Sequence, residues 1–305
     1  MAIKIIKEQN LSWINIDQVN DEALAYLKEN YNFHHLDLED IQSESQTPKI
    51  DNYKNYLFLV LHFPHWKSTT KTVVPHEVDI FLGDNFVITI QHSKTKEMKN
   101  FFYRCMKNRK TKKEWMSGSS GYLLYRLVEA LFHNSRPILN NVGKHISDVE
   151  GEIFEGEQDT KIIKQLAVHR RNVLNFRRII DPQRYLVANL SHTRKLFINE
   201  DMSLYFDDVV DYLNKLWAIS DTYKDTIDGL HVTVESLINQ RTNKVIGALT
   251  VISVALLPLT LLSGIYGMNI DLPFAKDPTF VWSIFIGLAI FILFIIAIMK
   301  KRRWL

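Results

Sequence analysis

The sequence has one cysteine, Cys105. A single thiol closes no internal disulfide and holds no metal alone, and lone cysteines usually pack as small hydrophobes. A dominant charge is also missing. Lys and Arg number 37 against 34 Asp and Glu, a formal net charge of +3, and no basic stripe is interleaved with aromatics. Both absences speak against a nucleic-acid partner. No G-x-x-x-x-G-K-[ST] run is present, and no nucleophile–base pairing has a recognisable spacing, so neither a phosphate loop nor an enzyme is expected. Met1 to Trp13 holds no apolar run of signal-peptide length, so the N-terminus is expected to stay in the cytoplasm. The most informative absence is local: from Val245 to Met299 the only charged residues are Asp271, Lys276 and Asp277.

With 305 residues, the chain is long enough for one large domain or two ordinary ones. Its first third alternates element types. Leu11–Ile16 reads as a strand and Asp21–Asn30 as a helix. Tyr56–Phe63, Glu77–Leu82 and Phe86–Gln91 are short runs rich in β-branched and aromatic residues, the last two joined by a tight Gly83-Asp84-Asn85 turn. From Ser117 onward apolar residues recur at helical spacing, first Leu123, Leu127, Leu131, Ile138, Val142, Ile146, Val149 and Ile153, then Ile162, Leu166, Val173, Phe176 and Ile180. Pro137 and Pro182 mark kinks or short breaks. A third series starts near Asp201 and meets no Pro or Gly cluster before Val245, so one helix is expected from Asp201 to about Tyr266, roughly 100 Å long at about 1.5 Å per residue. The chain thus divides into an α/β domain over 1–115, long antiparallel helices over 116–200, a stalk helix continuing into a first membrane helix over 201–266, an outer loop over 267–279, a second membrane helix over 280–299 and a basic tail over 300–305.

Val245–Tyr266 and Phe280–Met299 are uncharged and each about 20 residues long, the length that crosses a hydrocarbon core. Arg241 and Lys244 precede the first; Lys300, Lys301, Arg302 and Arg303 follow the second. The positive-inside rule places both termini in the cytoplasm and the connecting loop outside. The first membrane helix carries a stripe. Asn243, Thr250, Leu257 and Gly264 fall on one line of sevens, and Ile246, Ser253, Thr260 and Gly267 on the adjacent line. A polar, small-residue stripe in lipid faces either a neighbouring helix or water. Two helices enclose no pore, so the water-facing alternative requires an oligomer.

The first membrane helix ends in Tyr266-Gly267-Met268-Asn269. That ending, the preceding run Leu257-Pro258-Leu259-Thr260-Leu261-Leu262-Ser263-Gly264-Ile265, and the basic tail Lys300-Lys301-Arg302-Arg303-Trp304-Leu305 resemble the CorA-type magnesium channels. Leu38-Glu39-Asp40-Ile41 followed by Pro48-Lys49 resembles the family's N-domain motif, and Tyr205-Phe206-Asp207-Asp208 a motif near the start of its stalk helix. The resemblance runs in order along essentially the whole chain. It implies a homopentameric funnel in the plasma or inner membrane: an α/β cytoplasmic N-terminal domain plus long stalk helices and two transmembrane helices per subunit. It also implies passage of Mg²⁺, with Co²⁺ or Ni²⁺ as further ions, down the membrane potential under control of cytoplasmic Mg²⁺.

On that resemblance Tyr266, Gly267, Met268 and Asn269 form the selectivity filter. Asn243, Ile246, Leu249, Thr250, Ser253, Leu257, Thr260 and Gly264 line the pore. Asp40 and Asp208, with Glu39 as an accessory ligand, sense the cation between neighbouring subunits. Partners are further copies of the chain, the lipid bilayer and divalent metal ions. His34-His35 and His62-Phe63-Pro64-His65 lack ligand spacing and read as scattered surface histidines; the acids from Asp148 to Asp159 read as a solvated helix end. The chain departs from the family in its loop, Ile270-Asp271-Leu272-Pro273-Phe274-Ala275-Lys276-Asp277-Pro278, where a glutamate common in the family is missing and Lys276 dilutes the negative charge. Asp271 and Asp277 are the acids left to steer cations. Two other readings are a ZntB-like zinc transporter, against which Met268 speaks, and a non-conducting membrane-anchored sensor or structural protein, which has no use for a polar stripe ending in an amide.

Overall fold

A computed structural model of the chain describes residues 3–43, 46–92, 95–155, 160–193, 195, 197–198, 201–269 and 277–301. Two compact units are present, residues 1–230 and 231–305.

The first unit begins with six strands: β1 (Ile3–Glu8), β2 (Leu11–Ile16), β3 (Lys49–Asn52), β4 (Tyr56–Lys67), β5 (Thr72–Gly83) and β6 (Phe86–Gln91). They form one sheet in the order β1-β2-β6-β5-β4-β3. Only β2 and β6 run parallel; the other neighbours are antiparallel. A parallel pair needs a crossover, and here the chain between β2 and β6 passes through helices α1 (Asp21–Asn30) and α2 (His35–Asp40) as well as the β3–β5 meander. Asn20 caps α1 by accepting a 2.8 Å bond from the Ala23 N–H, with Asp21 and Glu22 complementing the dipole in its first turn.

Strand alternation sorts the two faces of the sheet. Phe58, Val60, Phe81, Ile88 and Ile90 build one face, covered by Ala23 and Leu27 of α1 and by Leu38 and Ile41 at α2. The other face is covered by further helices: α3 (Lys96–Lys107), α4 (Arg109–Met116), α5 (Ser120–His133), α6 (Ser135–Phe154) and α7 (Thr160–His192). Trp13 meets Phe102 of α3 edge-on at 5.0 Å and Phe63 meets Phe132 of α5 at 4.6 Å. Asn172 of α7 ties itself to the start of β5, donating to the carbonyl of Lys71 just before the strand at 3.1 Å and accepting from the Val73 N–H at 3.2 Å. Pro137 falls in the first turn of α6, where a missing N–H costs nothing, and Pro182 lies inside α7 without ending it.

The final helices are α8 (Asp201–Tyr266) and α9 (Pro278–Lys301). Within the first unit, α8 packs on its neighbours through specific contacts. Arg177 and Arg184 of α7 stack over the Trp217 ring at 4.7 and 4.8 Å, and Arg170 pairs with Asp228 at 2.9 Å. Gly143 of α6 makes room for Tyr223, whose hydroxyl would stand 2.3 Å from a Cβ there. The second unit holds the remainder of α8 and α9. Both helices are long and apolar enough to cross a membrane, and none of their apolar stretch is buried within the chain.

One end of the α1–α2 face departs from apolar packing. His62, Glu77, Asp79 and His92 meet there, and the acids are buried. Burial pushes the Asp79 carboxyl up to about 6 against the pull of His92. The reading of His62 as a surface histidine is therefore corrected: its Nε2 is 3.1 Å from Glu77 Oε2, and its side chain is only 12% exposed. Sequence spacing misses this because Glu77 and His62 are 15 residues apart and only the β4–β5 register sets them opposite each other.

Candidate ion pathway and cation-sensing site

Helix α9 lies against one side of α8. A cleft of about 250 Å³ between them is lined by Thr250, Val251, Val254, Ala255 and Pro258 on one side and Leu288, Phe291, Ile292 and Ile295 on the other. Val251, Ala255 and Pro258 are half-buried there, and Leu259 and Leu262 are half-buried one turn further along α8. At about 100° per residue, Ser253, Leu257, Thr260 and Gly264 project away from this contact, and all are exposed, as are Asn243, Ile246 and Leu249. Thr250 sits at the edge, exposed yet bordering the cleft. Apart from Thr250, the polar stripe is therefore not spent on packing the two helices of one chain together.

The hydroxyls on α8 are oriented. Thr250 donates to the Ile246 carbonyl at 2.8 Å and Thr260 to the Leu256 carbonyl at 3.0 Å. Their protons are committed to the helix backbone, which leaves oxygen lone pairs to face outward, the polarity a cation or its water shell requires. Pro258 lies inside α8 without ending it.

After Tyr266, which is half-buried, the helix closes with the Gly267 N–H donating to the Ser263 carbonyl at 2.9 Å and the Met268 N–H to the Ile265 carbonyl at 3.2 Å. A Cβ at Gly267 would stand 2.9 Å from that same Ser263 oxygen. This turn presents Met268 and Asn269, both exposed. Of the two loop acids, Asp277 caps α9, its Oδ1 accepting from the Thr279 N–H at 3.0 Å. Asp271 and Lys276, like Arg302 and Arg303 of the tail and the acids at 157 and 159, lie outside the described residues.

The residues expected from sequence to sense the cation lie in the first unit. Asp40 is at the end of α2, and its Oδ2 is 2.7 Å from Lys49 Nζ. Lys49 also reaches Asp51 Oδ2 at 2.7 Å. Asp37, fully buried, accepts from the Tyr53 hydroxyl at 2.8 Å and the Tyr56 hydroxyl at 2.6 Å. Oxygens of Asp37, Asp40 and Asp51 all lie within 4.8 Å of one another, a hard, oxygen-rich group suited to a dication. Burial alone would lower the Lys49 pKa, but its bonds to Asp40 and Asp51 outweigh that and hold it above the ordinary lysine value. Burial raises the Asp37 carboxyl in spite of the two tyrosine hydroxyls.

Glu39 and Asp208 are exposed. Among the described residues Asp208 belongs to no ligand cluster and makes no bond to Asp40. It is nevertheless firmly placed. Phe206, two residues before it, is fully buried, and Tyr205 packs its ring 4.9 Å from Tyr125. The Lys49 and Asp51 partners of Asp40 were not singled out from sequence as site residues; the signal available was the motif Pro48-Lys49 itself.

Comparison with known proteins identifies the architecture. The chain is 26% identical over 298 residues to the cobalt/magnesium transport protein CorA of Thermotoga maritima, covering 96% of this chain and 83% of that protein. It is 19% identical to the zinc transport protein ZntB of Yersinia pseudotuberculosis, covering 96% of this chain and 88% of the relative. The complete structure of the CorA magnesium transporter from Methanocaldococcus jannaschii shares the fold with a TM-score of 0.82 at 20% identity, over 95% of this chain and 91% of that one. A family model described as "CorA-like Mg2+ transporter protein" matches residues 8–301, and the chain belongs to that family.

Proposed function

We propose that the chain is one subunit of a homopentameric channel that admits Mg²⁺, and also Co²⁺ or Ni²⁺, and closes when cytoplasmic Mg²⁺ rises. The observation that carries this reading is the stripe of Ser253, Leu257, Thr260 and Gly264, which faces away from α9 and leads to the exposed Asn269. Five α8 helices around an axis would turn that stripe into a pore lining, with α9 outside. The drive for a dication is about 4.6 kcal/mol per 100 mV, twice the single-charge figure of about 2.3.

The chemistry of the lining suits Mg²⁺. This ion is hard and dehydrates reluctantly. A ring of Asn269 amide oxygens would accept hydrogen bonds from its water shell without stripping it, and a neutral ring lets the ion leave again. Thr260 and Asn243 supply the next polar rings, while Ile246, Leu249 and Leu257 narrow the path and gate it by dewetting. No His, Cys or Met of the deeper stripe offers the softer ligands that would favour other metals.

Cytoplasmic sensing rests on Asp40 and Asp208, with Glu39 beside them. Facing carboxylates of neighbouring subunits repel until a cation lies between them. Asp40 enters that arrangement already paired to Lys49, so an incoming ion competes with an ammonium. Both termini would lie in the cytoplasm and the 267–279 loop outside.

Flux into liposomes with Mg²⁺, Co²⁺, Ni²⁺ and Zn²⁺ tests the reading. Mg²⁺ influx that rises with an inside-negative potential and falls in Asn269→Ala is the expected result. Flux of Zn²⁺ alone, coupled to protons, would instead establish the zinc-transporter reading, and no flux at all would leave a membrane-anchored sensor.

A further inference from the structure

We propose that Glu77, Asp79 and His92, on the α1–α2 side of the sheet, form a binding site for a transition-metal dication of the zinc class, separate from both the pore and the Asp40 region. The three offer ligand atoms within 4.8 Å of one another. His92 Nε2 is 2.7 Å from Asp79 Oδ2 and 3.2 Å from Glu77 Oε1. In a tetrahedral site with bonds of about 2.0–2.1 Å, ligand atoms stand about 3.3 Å apart; the 3.2 Å contact already matches that spacing, and the 2.7 Å His92–Asp79 hydrogen bond widens when an ion replaces its proton.

The sheet builds this arrangement by register. Glu77 and Asp79 alternate onto the same face of β5. His62 of β4 is directly opposite Glu77, and His92 follows β6, whose Gln91 pairs with Val78. Three neighbouring strands thus deliver side chains to one spot.

A second observation points to a ligand there. Asp79 is fully buried, and its Oδ1 has no hydrogen-bond partner; Glu77, 8% exposed, likewise leaves Oε1 without a hydrogen bond, although His92 Nε2 stands 3.2 Å from it. Two buried carboxylate oxygens without donors are costly, and a dication bound by these two carboxylates would offset that cost. Glu77 Oε2, by contrast, is held from outside, by the Gln46 N–H at 2.8 Å and His62 Nε2 at 3.1 Å. This is how a ligating carboxylate is oriented by its surroundings. His92, whose side chain is 20% exposed, is the member of the group nearest solvent.

The donor set selects the ion. One imidazole and two carboxylates, with room for a water, suit Zn²⁺, Co²⁺ or Ni²⁺; Mg²⁺ wants six oxygens in octahedral geometry. The site would therefore respond to a different class of ion from the all-oxygen groups around Asp40.

The test uses purified full-length protein in detergent, with Co²⁺ as a spectroscopic probe in the presence of a large excess of Mg²⁺. The expected result is one Co²⁺ per chain with the visible absorption of a low-coordinate nitrogen–oxygen site, displaced by Zn²⁺. His92→Ala and the near-isosteric Asp79→Asn should abolish the band, and His62→Ala should weaken binding by about 10–100-fold, the usual effect of losing an outer-shell partner. An Asn269→Ala/Asp208→Ala protein should keep the band unchanged, which separates this site from the pore mouth and the subunit boundary. Wild-type protein that shows no such band, or a band that survives both His92→Ala and Asp79→Asn, overturns the proposal. So does a band lost in the Asn269→Ala/Asp208→Ala protein. Metal-free melting curves distinguish a lost ligand from a lost fold, and the wild-type stoichiometry decides the matter even where a variant misfolds.

Discussion

Asp40 and Lys49 are joined by a 2.7 Å ion pair, and the same ammonium is 2.7 Å from Asp51. The acid proposed to bind a regulatory cation is thus partly neutralised within its own chain. Lys49→Gln removes the competing charge and keeps a polar side chain of similar length. A half-exposed pair of this kind contributes about 0.4–1 kcal/mol, so the Mg²⁺ concentration that protects the protein from trypsin should fall about two- to fivefold. A midpoint that stays put, or rises, would show that Lys49 does not compete with the ion.

Asp208 presents a different case, since it is exposed and carries no ion pair among the described residues. Asp208→Ala should weaken inhibition by internal Mg²⁺ and reduce the protection the ion gives against proteolysis, because a ligand stabilises the state it binds. Conduction itself should persist. Asp208→Lys places a fixed cation where the ion would sit and should close the channel without Mg²⁺. Currents measured against internal Mg²⁺ decide this; inhibition of wild type and Asp208→Ala over the same range would return Asp208 to a solvated surface acid.

Much of the fold is legible because periodicity is strong where burial is strong. The runs Leu11–Ile16, Asp21–Asn30, Phe86–Gln91 and Asp201–Tyr266 coincide with elements of the structure. The misses have physical causes. β1 is an edge strand with charged residues among its apolar ones, and α2 and β3 have only 6 and 4 residues, too few to show a period. The sequence reading stops β4 at Phe63 and starts β5 at Glu77, which leaves Pro64 and Pro75 outside both runs. Instead Pro64 and Pro75 sit directly opposite each other, so the two missing donors coincide at one rung and the ladder continues to Lys67 and Thr72. The stripe of the proposed ion pathway is legible because it lies on one helix, whereas the partners of Asp40 depend on β3 reaching α2.

Gly267 tests the turn that presents the proposed filter. A Cβ there would press on the Ser263 carbonyl at 2.9 Å, whereas a Cβ at Gly264 meets nothing within 4 Å in the chain. Gly267→Ala should cost at least about 1 kcal/mol locally and largely abolish Mg²⁺ flux while the first unit keeps its melting temperature. The comparison is Gly267→Ala against Asn269→Ala in the same liposome assay. Normal flux through Gly267→Ala would mean that the turn geometry is not what positions Asn269.

The orientation of α8 is open to direct test by cysteine labelling, and the structure dictates the background. Cys105 is fully buried, and burial pushes its thiol up to about 11. At pH 8 only about one molecule in a thousand carries the reactive thiolate, so the native protein should not label while folded. Cys105→Ser would place a hydroxyl in an apolar site at a cost of about 1–3 kcal/mol; Cys105→Ala, or the unchanged residue, is the better background. Single cysteines at 246, 250, 253, 257, 260 and 264 should then react with a water-soluble thiol reagent added to the open channel. Cysteines at 251, 255, 258 and 262, on the side toward α9, should react at least about tenfold more slowly, since a buried thiol is both less accessible and less ionised. Protection along the whole first series would mean that the stripe packs against neighbouring helices rather than water, and the channel reading would fail with it.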